Sequence, residues 1–315
     1  MLTEFELIKH CFNWPQNNSN IKCAVGDDAS IVQVPNGHEL VQSIDTQVAD
    51  VHFPASAPAH LIAQRALRCA ISDLAAMGAT PQAFHLALSL PKHTSQPWLE
   101  SFSSGLRACA QEYAIDLIGG DTTSSPFIVI TLQVQGIVAK GKALRRNSAL
   151  IGDDIWLSGE VGRSAAALSN ILESPNKPVA NDHSLAAAYF YPDIQIALGK
   201  QLQGLATSAL DISDGLLQDM GHIARASQCC LNIERSLVPV SALAIKQCGQ
   251  KSALQFALSG GDDYQLLFTA NPSVRTELEA LHCFRIGAVQ KPVTDQWVLL
   301  DSQPVDSKHL GYQHF

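Results

Sequence analysis

PAHLIAQRALRCAISDLAAMG, residues 58–78, is the stretch on which the fold turns. Apolar residues recur at helical spacing over residues 58–77, and Gly78 is a natural helix terminator. Upstream, residues 40–45 (LVQSID) have the pattern of a strand, so the order is strand, then helix. Residues 84–90 are apolar and end at Pro91, residues 97–113 have the spacing of a second helix, and residues 127–138 alternate as a long strand. The first half is therefore a layered αβ domain. A polar, turn-prone segment at residues 141–152, with Lys142, Arg145 and Arg146, marks the boundary between residues 1–140 and residues 141–315. Beyond it, strands are expected at 155–158, 209–212 and 264–269, helices at 162–170 and 215–226, and an exposed loop at 172–182. The fold class expected is α+β or α/β in two domains.

Composition agrees. A chain of 315 residues exceeds the usual size of one core, and 46% hydrophobic with 16% charged residues supports two. A net charge of -8 argues against a general grip on nucleic acid, which needs a basic face. Cys11, Cys23, Cys69, Cys109, Cys229, Cys230, Cys248 and Cys283 are dispersed without a Cys-x-x-Cys pair, as expected of free thiols in a reducing compartment. The N-terminal residues lack a basic flank before an apolar core, and no long apolar run is present. A soluble cytoplasmic protein that engages no membrane is expected.

Carboxylates recur in short apolar or glycine-rich settings: Gly26-Asp27-Asp28, Ser43-Ile44-Asp45, Ser72-Asp73-Leu74, Gly119-Gly120-Asp121, Asp211-Ile212-Ser213-Asp214-Gly215 and Gly260-Gly261-Asp262-Asp263. So many acids at the ends of apolar runs repel one another unless cations lie between them, and magnesium with its oxygen ligands and phosphate partners suits such a set. Each block alone has a plain structural explanation. Gly26-Asp27-Asp28 has turn chemistry. Asp45 closes a strand with Ser43 on the same face, and Asp73 lies in an apolar helix where an unpaired carboxylate is costly. Gly119-Gly120 allows backbone amides to approach a phosphate, or forms a hairpin turn. Ser213 or Asp214 can cap the following helix, and the same helix start suits a phosphate or hydrated magnesium. No Walker-type loop or protein-kinase signature is present.

In order, Gly26-Asp27-Asp28-Ala29, Asp45-Thr46-Gln47-Val48 with His52-Phe53, Ser72-Asp73-Leu74-Ala75-Ala76-Met77-Gly78-Ala79, Ile118-Gly119-Gly120-Asp121-Thr122-Thr123, Asp211-Ile212-Ser213-Asp214-Gly215-Leu216 and Ser259-Gly260-Gly261-Asp262-Asp263-Tyr264 resemble the blocks of the thiamine-monophosphate kinase family. That family lies in a superfamily with aminoimidazole ribonucleotide synthetase, selenophosphate synthetase and the hydrogenase maturation factor HypE. The resemblance spans nearly the whole chain. It implies a two-domain PurM-like fold: a ferredoxin-like N-terminal domain that binds ATP and magnesium and forms a homodimer, and a C-terminal α/β domain closing over ATP.

The resemblance also implies an activity: transfer of the γ-phosphoryl group of ATP to thiamine monophosphate, giving thiamine diphosphate, directly and without a phosphoenzyme. By motif, Asp28, Ser43, Asp45, Asp73, Asp121, Asp211 and Asp214 hold several Mg2+ ions, with Ile44 offering only its carbonyl. Gly120, Asp121, Arg146 and Ser213 contact ATP. His52, Asp262 and Tyr312 line the thiamine phosphate side. No residue acts as a catalytic acid or base. Two positions depart from the family pattern, Ile44 for Thr and Asp262 for Glu, and the second shortens a substrate-contacting arm by one methylene. Cys11 and Cys23 lack the context of selenophosphate synthetase, and the C-terminus lacks the cysteine of HypE. Aminoimidazole ribonucleotide synthetase is the alternative enzyme, and an idle nucleotide-binding relative the alternative of another class.

Overall fold

A computed structural model of the chain describes residues 4–182, 184–293, 296–305 and 311–312. The chain divides into two units, Met1–Leu74 with Ala79–Gly141 and Asn170–Ala180, and Ala75–Gly78 with Lys142–Ser169 and Asn181–Phe315.

The first unit contains, in chain order, α1 (Glu4–Cys11), β1 (Ile21–Cys23), β2 (Ile31–Val32), β3 (His38–Val48), α2 (Ala59–Ala76), β4 (Thr80–Leu90), α3 (Gln96–Glu112), β5 (Asp116–Ser124) and β6 (Val129–Ala139). Its main sheet has the order β3-β6-β4-β5. The β4–β5 pair is parallel and is joined by α3, a helical crossover of the kind parallel neighbours require. Helix α2 forms because its straight-chain and alanine residues favour helix while Leu61, Ile62, Leu67, Ile71 and Leu74 are removed from solvent. Each such side chain contributes roughly 1.5–3 kcal/mol of transfer free energy. It stops at Gly78, whose φ of 68° suits glycine. Ser95 caps α3 by accepting from the Trp98 amide.

Two sequence expectations change here. Asp45 does not end its strand: β3 runs on to Val48, and Asp45 is paired with Leu132. Gly119-Gly120-Asp121 is not a hairpin turn but the middle of β5, held in a parallel ladder with β4. A Cβ at Gly120 would lie 1.9 Å from the Leu86 carbonyl oxygen, so only glycine permits this approach.

The second unit contains β7 (Asp154–Leu157), α4 (Arg163–Glu173), α5 (Leu185–Phe190), α6 (Ile196–Gln201), β8 (Ala206–Asp211), α7 (Leu216–Ser227), β9 (Cys230–Ile233), α8 (Ala242–Ser259), β10 (Leu266–Ala270), α9 (Arg275–Ala280), β11 (Phe284–Gln290), β12 (Val298–Leu300) and β13 (Gln303–Pro304). Helix α4 ends where the loop expected at 172–182 was to begin, one residue later than its start. A seven-stranded sheet has the order β13-β12-β9-β11-β7-β10-β8. Its pairs are antiparallel except β12–β9. The core includes Ile155, Leu157, Leu210, Ile212, Leu216, Met220, Ile223, Leu231 and Leu267. Helix α7 supplies Leu216, Met220 and Ile223 from one face, so its apolar stripe fixes how the loop before it is presented. Both units mix helices with sheet, the α+β class expected from sequence.

Candidate active site

In the first unit, β3 and α2 bring two of the expected carboxylates together. Ser43 and Asp45 lie two residues apart on β3, on one face. The Ser43 hydroxyl donates to Asp73 Oδ2 on α2, so Asp73 is half-buried and paired rather than isolated in an apolar helix. Burial pushes the Asp45 carboxyl above the usual carboxylate range, the Asp73 charge adds to this, and His52 and Arg65 oppose it. Two acids so placed favour a cation between them. Ile44 points its side chain outward and is 68% exposed, leaving its carbonyl as the only ligand atom it can offer.

His52 sits in the turn after β3. Its Nδ1 accepts from the Val48 amide at 3.1 Å, which fixes the neutral ring as the Nε2–H tautomer. The His52 carbonyl accepts from Arg65 Nε at 3.2 Å, tying the turn to α2.

The far edge of the same sheet carries a cleft of about 720 Å³, where Asp28, Gly120 and Asp121 meet Asp27, Ser30 and His85 beneath apolar Ile8 and Phe12. The chain turns at Gly26, and the Asp28 amide donates to Asp27 Oδ1 at 2.8 Å. His85 bridges Ser30 at 3.2 Å and Gln133 at 2.9 Å, buttressing this loop. Register links the two edges: Asp45 opposes Leu132, Leu132 opposes Leu86, and Leu86 opposes Gly120. Asp45 and Gly120 thus lie in one row, three strand spacings or about 14 Å apart.

The second unit gathers its residues around the loop joining β8 to α7. Asp211 ends β8 and is buried. Neither Ser213 nor Asp214 caps α7, as the sequence had suggested; the N-cap position is Gly215, with no side-chain bond. The capping runs the other way. Asp219, on the first turn of α7, accepts from the amides of Ser213, Asp214 and Gly215, each at 3.1 Å. Burial, then Asp211 and Asp214, push its carboxyl upward, while those amides pull it down.

The carbonyls of this loop hold two other expected site residues, Asp262 and Tyr312, and with them Tyr264. Ser213 O accepts from the Asp262 amide at 2.8 Å, Ile212 O from the Tyr264 amide at 2.8 Å, and Asp214 O from the Tyr312 amide at 3.0 Å. Asp262 and Tyr264 adopt φ values of 59° and 52°, costly for non-glycine residues and held by these bonds. Tyr264 Oη donates to Asp262 Oδ1 at 3.0 Å, which aims the shortened arm. Asp263 faces the other way. Both of its oxygens accept from the Gly162 amide, at 2.9 and 2.8 Å, and burial pushes its carboxyl up to about 7.

Arg146 lies close enough to α7 that, after burial and Arg225, it lowers the His222 pKa. Asp214, Asp219 and His222 bring ligand atoms within 4.8 Å of one another. Asp219, His222, Tyr264, Arg65 and His85 were not singled out from sequence. Only Asp219 had a signal available, an acid in the first turn of a predicted helix.

Residues 26–138 match the family described as AIR synthase related protein, N-terminal domain. The thiamine-monophosphate kinase of Haemophilus influenzae is 37% identical over 322 residues, covering 99% of this chain and 98% of the relative. The chain belongs to the thiamine-monophosphate kinase family. The crystal structure of the thiamine-monophosphate kinase from Stenotrophomonas maltophilia K279a superposes with a TM-score of 0.83 at 37% identity, covering 91% of this chain and 93% of that one. AaThiL complexed with AMPPCP and TMP gives a TM-score of 0.81 at 27% identity, covering 93% and 92%. Full-length likeness to thiamine-monophosphate kinases gives no support to the aminoimidazole ribonucleotide synthetase alternative.

Proposed function

We propose that the protein transfers the γ-phosphoryl group of ATP to thiamine monophosphate, giving thiamine diphosphate and ADP. The observation that carries this reading is the loop at residues 211–215, whose side chains are expected on the nucleotide and metal side and whose carbonyls accept from the amides of Asp262 and Tyr312, expected on the acceptor side. Kinship with thiamine-monophosphate kinases and the AMPPCP and TMP bound by AaThiL support the choice of substrates.

In this reading a phosphate oxygen of thiamine monophosphate attacks the γ-phosphorus in line. The bond from that phosphorus to the β,γ-bridging oxygen breaks, and ADP leaves with the electron pair. The attacking oxygen is already ionised at neutral pH, so no protein base takes a proton. Repulsion between two anionic partners dominates the barrier, and alignment with electrostatic stabilisation lowers it. His52 carries Nε2–H, a donor suited to the acceptor phosphate, and Asp262 and Tyr312 are assigned to the same substrate. Gly120, Asp121, Arg146 and Ser213 engage ATP.

The donor set fits several Mg2+ ions. Asp28, Ser43, the Ile44 carbonyl, Asp45, Asp73 and Asp121 in the first unit, and Asp211 and Asp214 in the second, are all hard oxygen ligands. The upward-shifted Asp45 beside Asp73 is the arrangement that a divalent ion relieves. When bound, magnesium supplies positive charge to the phosphate oxygens and holds them in alignment.

We further propose that residues 1–140 form the ATP-binding and dimerisation domain and residues 141–315 the C-terminal domain, that the protein is a homodimer, and that it works in the cytoplasm. Free cysteines support a reducing compartment, and among the described residues no helix is long and apolar enough to cross a membrane. An ADP-release assay with thiamine monophosphate, thiamine or formylglycinamidine ribonucleotide as acceptor tests the activity. Release that depends on thiamine monophosphate supports it; release only with formylglycinamidine ribonucleotide moves the protein to the synthetase reaction.

A further inference from the structure

Gln218 stands on the first turn of α7, one residue before the carboxylate that organises the preceding loop. Its Nε2 donates to Asp214 Oδ2 at 3.1 Å and to the Tyr312 carbonyl at 2.7 Å. The Tyr312 amide closes the circuit on the Asp214 carbonyl. Tyr312 is thereby docked by two hydrogen bonds that both run through Asp214 and its neighbour on the helix. Gly311 allows the approach: a Cβ there would lie 2.4 Å from the Asp214 carbonyl oxygen and 2.9 Å from Gln218 Cβ.

The amide can point only one way. Both groups facing Nε2 are acceptors, so the flipped amide would set Oε1 against two oxygens. Oε1 in turn is buried and has no hydrogen-bond partner among the described residues. A packing residue has no reason to hold a polar atom at that cost. A donor shared between a carboxylate and a carbonyl does.

We propose that Gln218 is a positioning residue that couples the acceptor side of the site to the nucleotide and metal side, by fixing the Tyr312 segment and one oxygen of Asp214 with a single amide. This rests on the reading of the protein as a thiamine-monophosphate kinase. Side-chain chemistry then ranks the substitutions. Gln218→Lys keeps a donor for both oxygens, Gln218→Met keeps the length without a donor, and Gln218→Glu places a second carboxylate against Asp214.

The experiment has two arms. Steady-state kinetics should give a KM for thiamine monophosphate near wild type in Gln218→Lys, raised about tenfold in Gln218→Met, as loss of one to two hydrogen bonds implies, and raised further in Gln218→Glu. Because Asp214 Oδ2 loses its donor as well, the KM for ATP should stay within about twofold in Gln218→Lys and rise about two- to fivefold in Gln218→Met. A packing role predicts the reverse, with Met nearest wild type and Lys no better than Glu, and that order would overturn the proposal. Amide hydrogen exchange in the substrate-free protein forms the second arm. Exchange at Tyr312 should accelerate about five- to tenfold in Gln218→Met with α7 unchanged. Unchanged exchange at Tyr312, or faster exchange with an unmoved KM for thiamine monophosphate, would also overturn it. Wild-type protein that makes no thiamine diphosphate would instead sink the kinase reading, and the exchange arm alone would then decide the docking role.

Discussion

Asp45 and Asp73 face each other across the contact between β3 and α2, with Ser43 bound to Asp73. If they hold metal, Asp45→Asn and Asp73→Asn each lower kcat by orders of magnitude while circular dichroism stays native. Near-wild-type initial rates at saturating magnesium would contradict the ligand assignment. Arg146→Ala should raise the KM for ATP more than that for thiamine monophosphate, and equal losses would argue against its nucleotide role. Asp219 works differently, through three amides rather than through a ligand. Acids in the other blocks were visible from sequence because they recur in short apolar or glycine-rich settings. Asp219 had only the weaker signal of an acid in the first turn of a predicted helix, and its partners lie before the helix begins, so its role shows only in the folded loop. Gln218 carried no sequence signal, because its two acceptors are Asp214 and a residue 94 positions away.

Elements were legible where periodicity was strong. Helix α2 was plain from its apolar spacing and the Gly78 stop, and β6 from its alternation. The Gly119-Gly120 pair carried a turn signal that tertiary pairing overrides, since β4 approaches too closely for any side chain at Gly120. Gly120→Ala should accordingly separate β4 from β5 and lower the urea midpoint, with a destabilisation above about 2 kcal/mol by overpacking and lost ladder bonds. An unchanged midpoint would mean that the ladder tolerates a side chain there. Loop 260–264 gives a pH prediction through Asp263. Its carboxyl titrates higher folded, at about 7, than unfolded, so the folded state binds the extra proton and this contribution is lost as pH rises from about 4 toward 7. In urea titrations, Asp263→Asn should therefore gain stability relative to wild type across that window and level off above it. A pH-independent difference would show that the Gly162 and Arg163 amides keep Asp263 ionised throughout.

At the scale of the molecule, the two-unit α+β architecture followed from alternating strand and helix patterns in both halves of the sequence. The mixed, mainly antiparallel order of the second sheet did not, because strands β9, β11, β12 and β13 are short or weakly patterned and their pairing is long-range. Sedimentation equilibrium tests the proposed dimer: twice the 33.8 kDa chain mass is expected, and a persistent monomer at micromolar concentration would remove dimerisation from the proposal. Function rests on one reaction, and phosphorus NMR reads it directly. Purified protein with ATP, magnesium and thiamine monophosphate, run beside a control without acceptor, should yield thiamine diphosphate and ADP in equal amounts. ATP consumed without thiamine diphosphate, or not consumed at all, would contradict the account.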